Sequence, residues 1–168
     1  MSNIICRRKL WVPRLHHSTS SATEPLARDF PPSSQLASMP LPRLASIAAL
    51  DHLVLTVRSI PTTIKWYERL GMRHEPFRTP GGVRHALRYG LSKINLHEAG
   101  NEFSPRAKTA LPGTADLCFL IDDDVGDVKT RLEKEGIEIV EDGVVSRTGA
   151  RGNLLSVYVR DPDGNLIE

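Results

Sequence analysis

Four side chains able to hold a cation or move a proton stand in short apolar segments of this chain. His52 lies in LDHLVLTV (50–57), His97 in KINLHE (93–98), Asp116 in ADLCF (115–119), and Glu168 follows Leu166 and Ile167. Imidazole and carboxylate groups flanked by aliphatic neighbours are costly to bury alone, and a divalent cation satisfies them together. His52, His97 and Glu168 make a ligand set of two imidazoles and one carboxylate. With open positions left for substrate, it suits Mn(II), Fe(II), Zn or Ni. Asp116 is a fourth ligand, an outer partner that orients an imidazole, or neither.

The elements that must position these groups come in two similar sets. LDHLVLTV reads as a strand, being short, apolar and β-branched. A helix follows, with Ser59 as cap, Pro61 in its first turn, a stripe of Ile64, Tyr67 and Leu70, and Gly71 as its stop. Three further strands are expected over 72–77, 84–89 and 93–98. The order βαβββ then recurs: a strand over 115–121, a helix capped by Asp124 with the stripe Val125, Val128 and Leu132, a stop at Gly136, and strands over 137–145 and 154–159. The turn DPDGN at 161–165 starts a last strand at Leu166. Sliding one module over the other places His52 on Asp116 and His97 on Glu168. Since strand side chains alternate between faces, matched positions point to matched faces. If the modules pair about a twofold axis, four polar groups from four strands meet in one concavity.

The fold class expected is α+β: two βαβββ modules, 50–98 and 114–168, whose curved mixed sheet surrounds a metal-lined cavity in a domain spanning 49–168. His74 and His85 read as hydrogen-bonded or surface residues. Cys118 reads as a small buried hydrophobe, and with Cys6 in a different region no disulfide is expected. Trp66 and Tyr67 serve either the core or a dimer contact.

Before that domain the texture differs. No acid precedes Glu24, while Arg7, Arg8, Lys9 and Arg14 alternate with apolar residues ahead of a Ser/Thr run. Residues 1–24 therefore read as an organellar transit peptide, which would place the protein in the mitochondrial matrix. The other reading is a disordered extension or a misassigned gene start, with the protein cytoplasmic. Residues 25–48, rich in Pro, Ser and Ala, read as a disordered linker. The net charge of +2 conceals a basic leader and a slightly acidic domain: residues 1–49 hold six basic and two acidic side chains. No concentrated basic face argues for nucleic acid as a partner. No apolar run approaches the roughly 18 residues of a membrane span, so a soluble protein is expected.

The strings LDHLVLTV, INLHEAG, PGTADLCF, RTGA and RDPDGNLIE together resemble the vicinal oxygen chelate superfamily, and within it the small glyoxalase domain-containing proteins related to glyoxalase and bleomycin-resistance proteins. The similarity covers nearly all of 50–168 and none of 1–49. It implies paired βαβββ modules around a metal-lined cavity, often with modules paired across chains as a homodimer. The metal positions implied are His52, His97, Asp116 and Glu168. The chain departs from glyoxalase I enzymes, which usually carry Glu at the place of His97 and His at that of Asp116. Its two-imidazole, one-carboxylate set is closer to fosfomycin-modifying thiol transferases and extradiol dioxygenases, although the monovalent-cation loop of the former is not found. Members generally continue a few residues past the closing Glu.

The chemistry implied is bidentate chelation of a small oxygenated metabolite or its thiol adduct, with proton transfer by Glu168, or by Asp116 if Glu168 stays on the metal. The product would be that of a lyase or isomerase. Two alternatives stand beside it: an Fe(II) extradiol-type dioxygenase, and a non-catalytic ligand-sequestering protein of bleomycin-resistance type. Phe103, Arg106 and Lys108 in the 100–113 loop, with Arg147 and Arg151 in the 147–152 loop, are the candidate substrate contacts, Phe103 as a hydrophobic lid.

Overall fold

In the segment His52–Val57 every second side chain is aliphatic and can be buried on one face, and the computed structural model forms β1 there. The structure describes residues 43–168, of which Ile47–Glu168 make one compact unit. The transit-peptide reading of 1–24, most of the 25–48 linker and Cys6 lie outside the described residues. Ser59 caps α1 (Ile60–Arg69), its hydroxyl accepting from the Thr62 N–H at 3.4 Å, and Pro61 sits in the first turn, where its missing N–H costs nothing. Gly71 ends the helix at a φ of 90°. Then come β2 (Arg73–Thr79), β3 (Gly82–Tyr89) and β4 (Ser92–Glu98), giving a four-stranded sheet in the order β1-β4-β3-β2. β1 runs parallel to β4, and the other neighbours are antiparallel.

The second module follows with β5 (Asp116–Leu117), α2 (Val125–Lys134), β6 (Val145–Gly149), β7 (Gly152–Ser156), β8 (Val159–Arg160) and β9 (Leu166–Ile167). Asp124 caps α2, its side chain accepting from the N–H groups of Gly126 and Asp127. β5, β9 and β8 form one small sheet, with β6 and β7 a separate hairpin. Two strand expectations are corrected here. Of 137–145, Ile139 pairs only in an isolated bridge to Val159 and Val145 only as the first residue of β6, because Gly143 turns the chain at a φ of 98° just before that strand. The expected strand 154–159 is split, with Val157 and Tyr158 between β7 and β8.

Pairing sorts the first sheet into two unlike faces. Leu53 and Leu55 stand opposite Ile94 and Leu96, and Leu87 opposite Ile94; with Val57 they form the face that packs with Tyr67 and Met72 in the core. Fully burying such a side chain contributes about 1.5–3 kcal/mol. The opposite face is polar: His52, Thr56, Arg84, Arg88, Asn95 and His97.

The modules are fastened to each other through the DPDGN turn. Asp161, Asp163 and Asn165 are all buried. Tyr67 of α1 donates to Asp161, Asn165 Nδ2 donates to Asp161 at 2.7 Å, and the Arg58 backbone N–H donates to Asp163 at 3.1 Å. Asn165 Oδ1 also accepts from the Ala115 N–H at 2.9 Å. A polar turn whose lone pairs are nearly all taken therefore sets the angle between modules. No described helix is long and apolar enough to cross a membrane.

Candidate functional site

His52 opens β1 with its ring nitrogen Nδ1 2.7 Å from Asp51 Oδ1. A carboxylate only accepts, so Nδ1 is the donor, and Nε2 makes no hydrogen bond among the described residues. The same hydrogen bond holds the Asp51 carboxyl below its usual range. The carboxylate fixes the orientation of the imidazole ring.

Glu168 closes the second module. Ser156 Oγ donates to Glu168 Oε1, and the Glu168 backbone pairs with β5 on both sides, its N–H on Leu117 and its carbonyl accepting from Phe119. Parallel pairing of β5 with β9, Asp116 opposite Leu166 and Leu117 opposite Ile167, puts Asp116 and Glu168 on the same face by alternation, with Cys118 between them. Burial raises the Cys118 thiol, and the negative charges of Glu168 and then Asp116 raise it further. Cys118 is nevertheless an exposed residue, which corrects the expectation of a buried hydrophobe. Strand alternation turns it away from Leu117 and Phe119, which pack against the core. A cavity of about 1090 Å³ adjoins α2 and the end of α1. Cys118, Ser156 and Glu168 are on its wall; His52 and His97 are not.

His97 sits elsewhere. It pairs with Thr56, whereas His52 pairs with Lys93. Four strand steps separate the two imidazoles, about 13 Å at the usual rise. His97 is 5% exposed, its ring edge meets Phe103 at 5.4 Å, and burial first, then the Arg84 charge, holds its pKa below the ordinary value. Among the described residues no three His, Cys, Asp or Glu side chains gather as a metal group. One chain thus brings Asp116 together with Glu168, and leaves His52 and His97 each apart.

The expected substrate contacts also divide. Phe103 meets His97 edge to face. Arg106 is 3.9 Å from Glu102, and Lys108 is exposed in the same loop. Arg147 pairs with Glu141 and lies over the Tyr158 ring at 5.3 Å, while Arg151 is exposed at the β6–β7 turn. Sequence reading missed Asp51, Arg84, Asn95 and Ser156. Only Asp51 had a signal, as a carboxylate adjoining a strand histidine.

Residues 49–168 match the model of the glyoxalase/bleomycin resistance protein/dioxygenase superfamily. The chain belongs to that superfamily. Among relatives of this glyoxalase-superfamily chain, the glyoxalase domain-containing protein RDO1 of Mycosarcoma maydis is 51% identical over 126 residues, 75% of this chain and 69% of that protein. The virulence protein STM3117 of Salmonella typhimurium is 50% identical over 123 residues, 73% of this chain and 83% of that protein. The crystal structure of STM3117 superposes with a TM-score of 0.69, covering 73% of this chain and 95% of the other. An integron cassette protein of V. cholerae, 51% identical, also gives 0.69, covering 74% of this chain and 95% of the other. Lactoylglutathione lyase from Agrobacterium tumefaciens, 22% identical and covering 73% of this chain and 92% of the other, shares the fold with a TM-score of 0.54.

Proposed function

We propose that this superfamily member is a divalent-metal-dependent enzyme of glyoxalase type, whose centre is completed by pairing two copies of the chain. The observation that carries the reading is the state of His52: an imidazole oriented by Asp51, with Nε2 unengaged at the open edge of the first module. Asp116 and Glu168 supply carboxylates on one face of the second module. One imidazole with two carboxylates fits Mn(II), Fe(II), Zn or Ni by chemistry. The Tyr67–Asp161 and Arg58–Asp163 contacts fix the modules within a chain, so His52 meets these carboxylates from a second copy, about a twofold axis. His97, about 13 Å along the strands from His52, is not a co-ligand of that ion in this reading.

A divalent ion held there supplies Lewis-acid stabilisation of negative charge on adjacent substrate oxygens. The chain itself supplies the proton relay. Glu168, steadied by Ser156, removes a proton next to a carbonyl and returns it to the neighbouring carbon; Asp116 takes that part if Glu168 remains on the ion. The substrate class is a small oxygenated metabolite or its thiol adduct, and the reaction a lyase or isomerase step.

The test is metal content per chain in wild type, His52→Ala, Glu168→Gln and an unfolded-and-refolded equal mixture of the two variants. Each variant alone should lose its metal. The mixture should regain about a quarter of the wild-type content, since half of the pairs are mixed and each holds one intact site. No recovery in the mixture would mean that each ion is held within one chain. A second reading, ligand sequestration without catalysis, is favoured by the absence of an assembled metal group among the described residues. It predicts no stoichiometric metal in any preparation, and ligand binding indifferent to His52→Ala.

A further inference from the structure

We infer that Arg84, with His97 and Asn95 beneath the Phe103 loop, forms a binding site for a small oxyanion that also carries a hydroxyl. The site stands apart from the metal reading, since it involves neither His52 nor Glu168. Arg84 lies opposite Phe77 on β3, and one step beyond the His85–Leu96 pair it comes beside His97. Its guanidinium lies 4.0 Å over the Phe103 ring. Phe103 in turn packs edge to face with His97, so the ring under the cation is itself held in place.

Among the described residues that cation has no counter-charge. Its neighbours on the same face are occupied: Arg88 and Arg73 both pair with Glu75, and Lys93 lies over Phe77 at 4.7 Å. Glu102, the acid of the covering loop, accepts from the Gly100 N–H at 2.9 Å and faces Arg106. Among the described residues Arg84 makes no ion pair, and its Nε is buried without a hydrogen-bond partner. A guanidinium presents its Nε–H and one terminal N–H as a fork that matches two oxygens of a carboxylate or phosphate. Partial burial strengthens that pairing.

A second unmet group defines the ligand further. Asn95 Oδ1 is also buried without a partner. Asn95 lies opposite Ala86, on the face that carries Arg84, one diagonal position away. An acceptor there calls for a donor on the ligand. A hydroxycarboxylate, or a phosphate that retains one hydroxyl, presents both features; a plain carboxylate presents only the first.

The experiment follows the arginine Nε–H resonances of the full chain by NMR, in excess chelator, during titration with inorganic phosphate, glycolate and acetate. Arg84→Gln assigns the Arg84 signal by its loss. The expected result is a saturable shift of that signal with phosphate or glycolate, weaker with acetate, and none with chloride at equal ionic strength. Binding should be more than tenfold weaker in Arg84→Gln and partly retained in Arg84→Lys, which keeps the charge without the fork. Which probe binds tighter separates a phosphate ligand from a hydroxycarboxylate. His52→Ala should leave the titration unchanged, so failure of the metal reading is silent here. An Arg84 signal that stays still while other arginines move, or equal binding by a folded Arg84→Gln or Arg84→Lys and wild type, overturns the site.

Discussion

The Tyr67 hydroxyl donates to Asp161 Oδ2 at 3.0 Å, joining the helix of the first module to the turn that launches the strand bearing Glu168. Both residues are buried, and burial, then the charge of Asp161, pushes the Tyr67 phenol far above its ordinary range. Asp161 Oδ1 meanwhile accepts from the N–H groups of Asp163 and Asn165, each at 2.9 Å.

Removing the hydroxyl with Tyr67→Phe leaves a buried carboxylate oxygen short of a donor, at a cost of about 1–2 kcal/mol. Urea unfolding should show a lower midpoint at an unchanged slope. Asp161→Ala should cost more, because it strips partners from Tyr67, Asp163 and Asn165 at once. Equal stability of Tyr67→Phe and wild type would mean that the modules are not held by this contact.

Gly113 has a φ of 77°, and a Cβ added there would stand 2.7 Å from the Asp163 carbonyl oxygen. Gly113→Ala should therefore destabilise by about 2 kcal/mol or more, since an L side chain both strains this backbone region and meets a backbone atom that cannot swing aside. Thermal melting monitored by circular dichroism checks it.

His74 Nε2 and His85 Nδ1 lie 3.0 Å apart with the rings stacked, on the core-side face of β2 and β3. One proton can sit between them; two cannot. Burial, and then the charge of His74, lowers the His85 pKa from 6.5. A histidine with a depressed native pKa binds fewer protons folded than unfolded, so its stabilisation is complete above the unfolded value and is lost as pH falls through and below it. Wild type should lose more melting temperature than His85→Gln between about pH 7.5 and about pH 5.5. Parallel losses in the two proteins would remove the pair from the pH response.

Asp51→Asn keeps a hydrogen-bonding group beside His52 but removes the carboxylate that fixes its tautomer. On the proposed function, metal affinity should fall about 10–100-fold. Asp51 is exposed, so the melting temperature of the metal-free protein should hardly change. Competition with a chelating dye measures the first, and calorimetry the second. Unchanged affinity would separate Asp51 from the ion.

Local signals carried much of the architecture. The caps Ser59 and Asp124 and the stops Gly71 and Gly136 were legible because each helix end needs particular side-chain or backbone chemistry. In the first module β1 was legible from its apolar, β-branched run, and the later strands from the Pro80-Gly81-Gly82 and Gly90 turns that separate them. In the second module, short pairings lie between turns, and Ile139 reaches the sheet only through a single bridge. Apolar composition over 137–145 does not reveal that partner geometry ends the strand early. Cys118 was misjudged for a related reason: an apolar neighbourhood in sequence does not state which face of a strand is covered.

The candidate site shows the same division. Residue type together with matched position in the two modules singled out His52, His97, Asp116 and Glu168, and both signals are local; that His52 and Asp116 are exposed is not legible there. Register decided which of them meet. Thr56, not His52, stands opposite His97, and a displacement of four residues along parallel strands separates two imidazoles that the paired-module reading had brought to one cation. Arg84 and Asn95 emerged only in three dimensions, since the lack of a partner is a property of the packed neighbourhood. Sequence determined the elements and their chemistry through local physics of one turn or one strand; tertiary structure decided the meetings, because contacts between distant residues depend on register and on the angle set by the Asp161 turn.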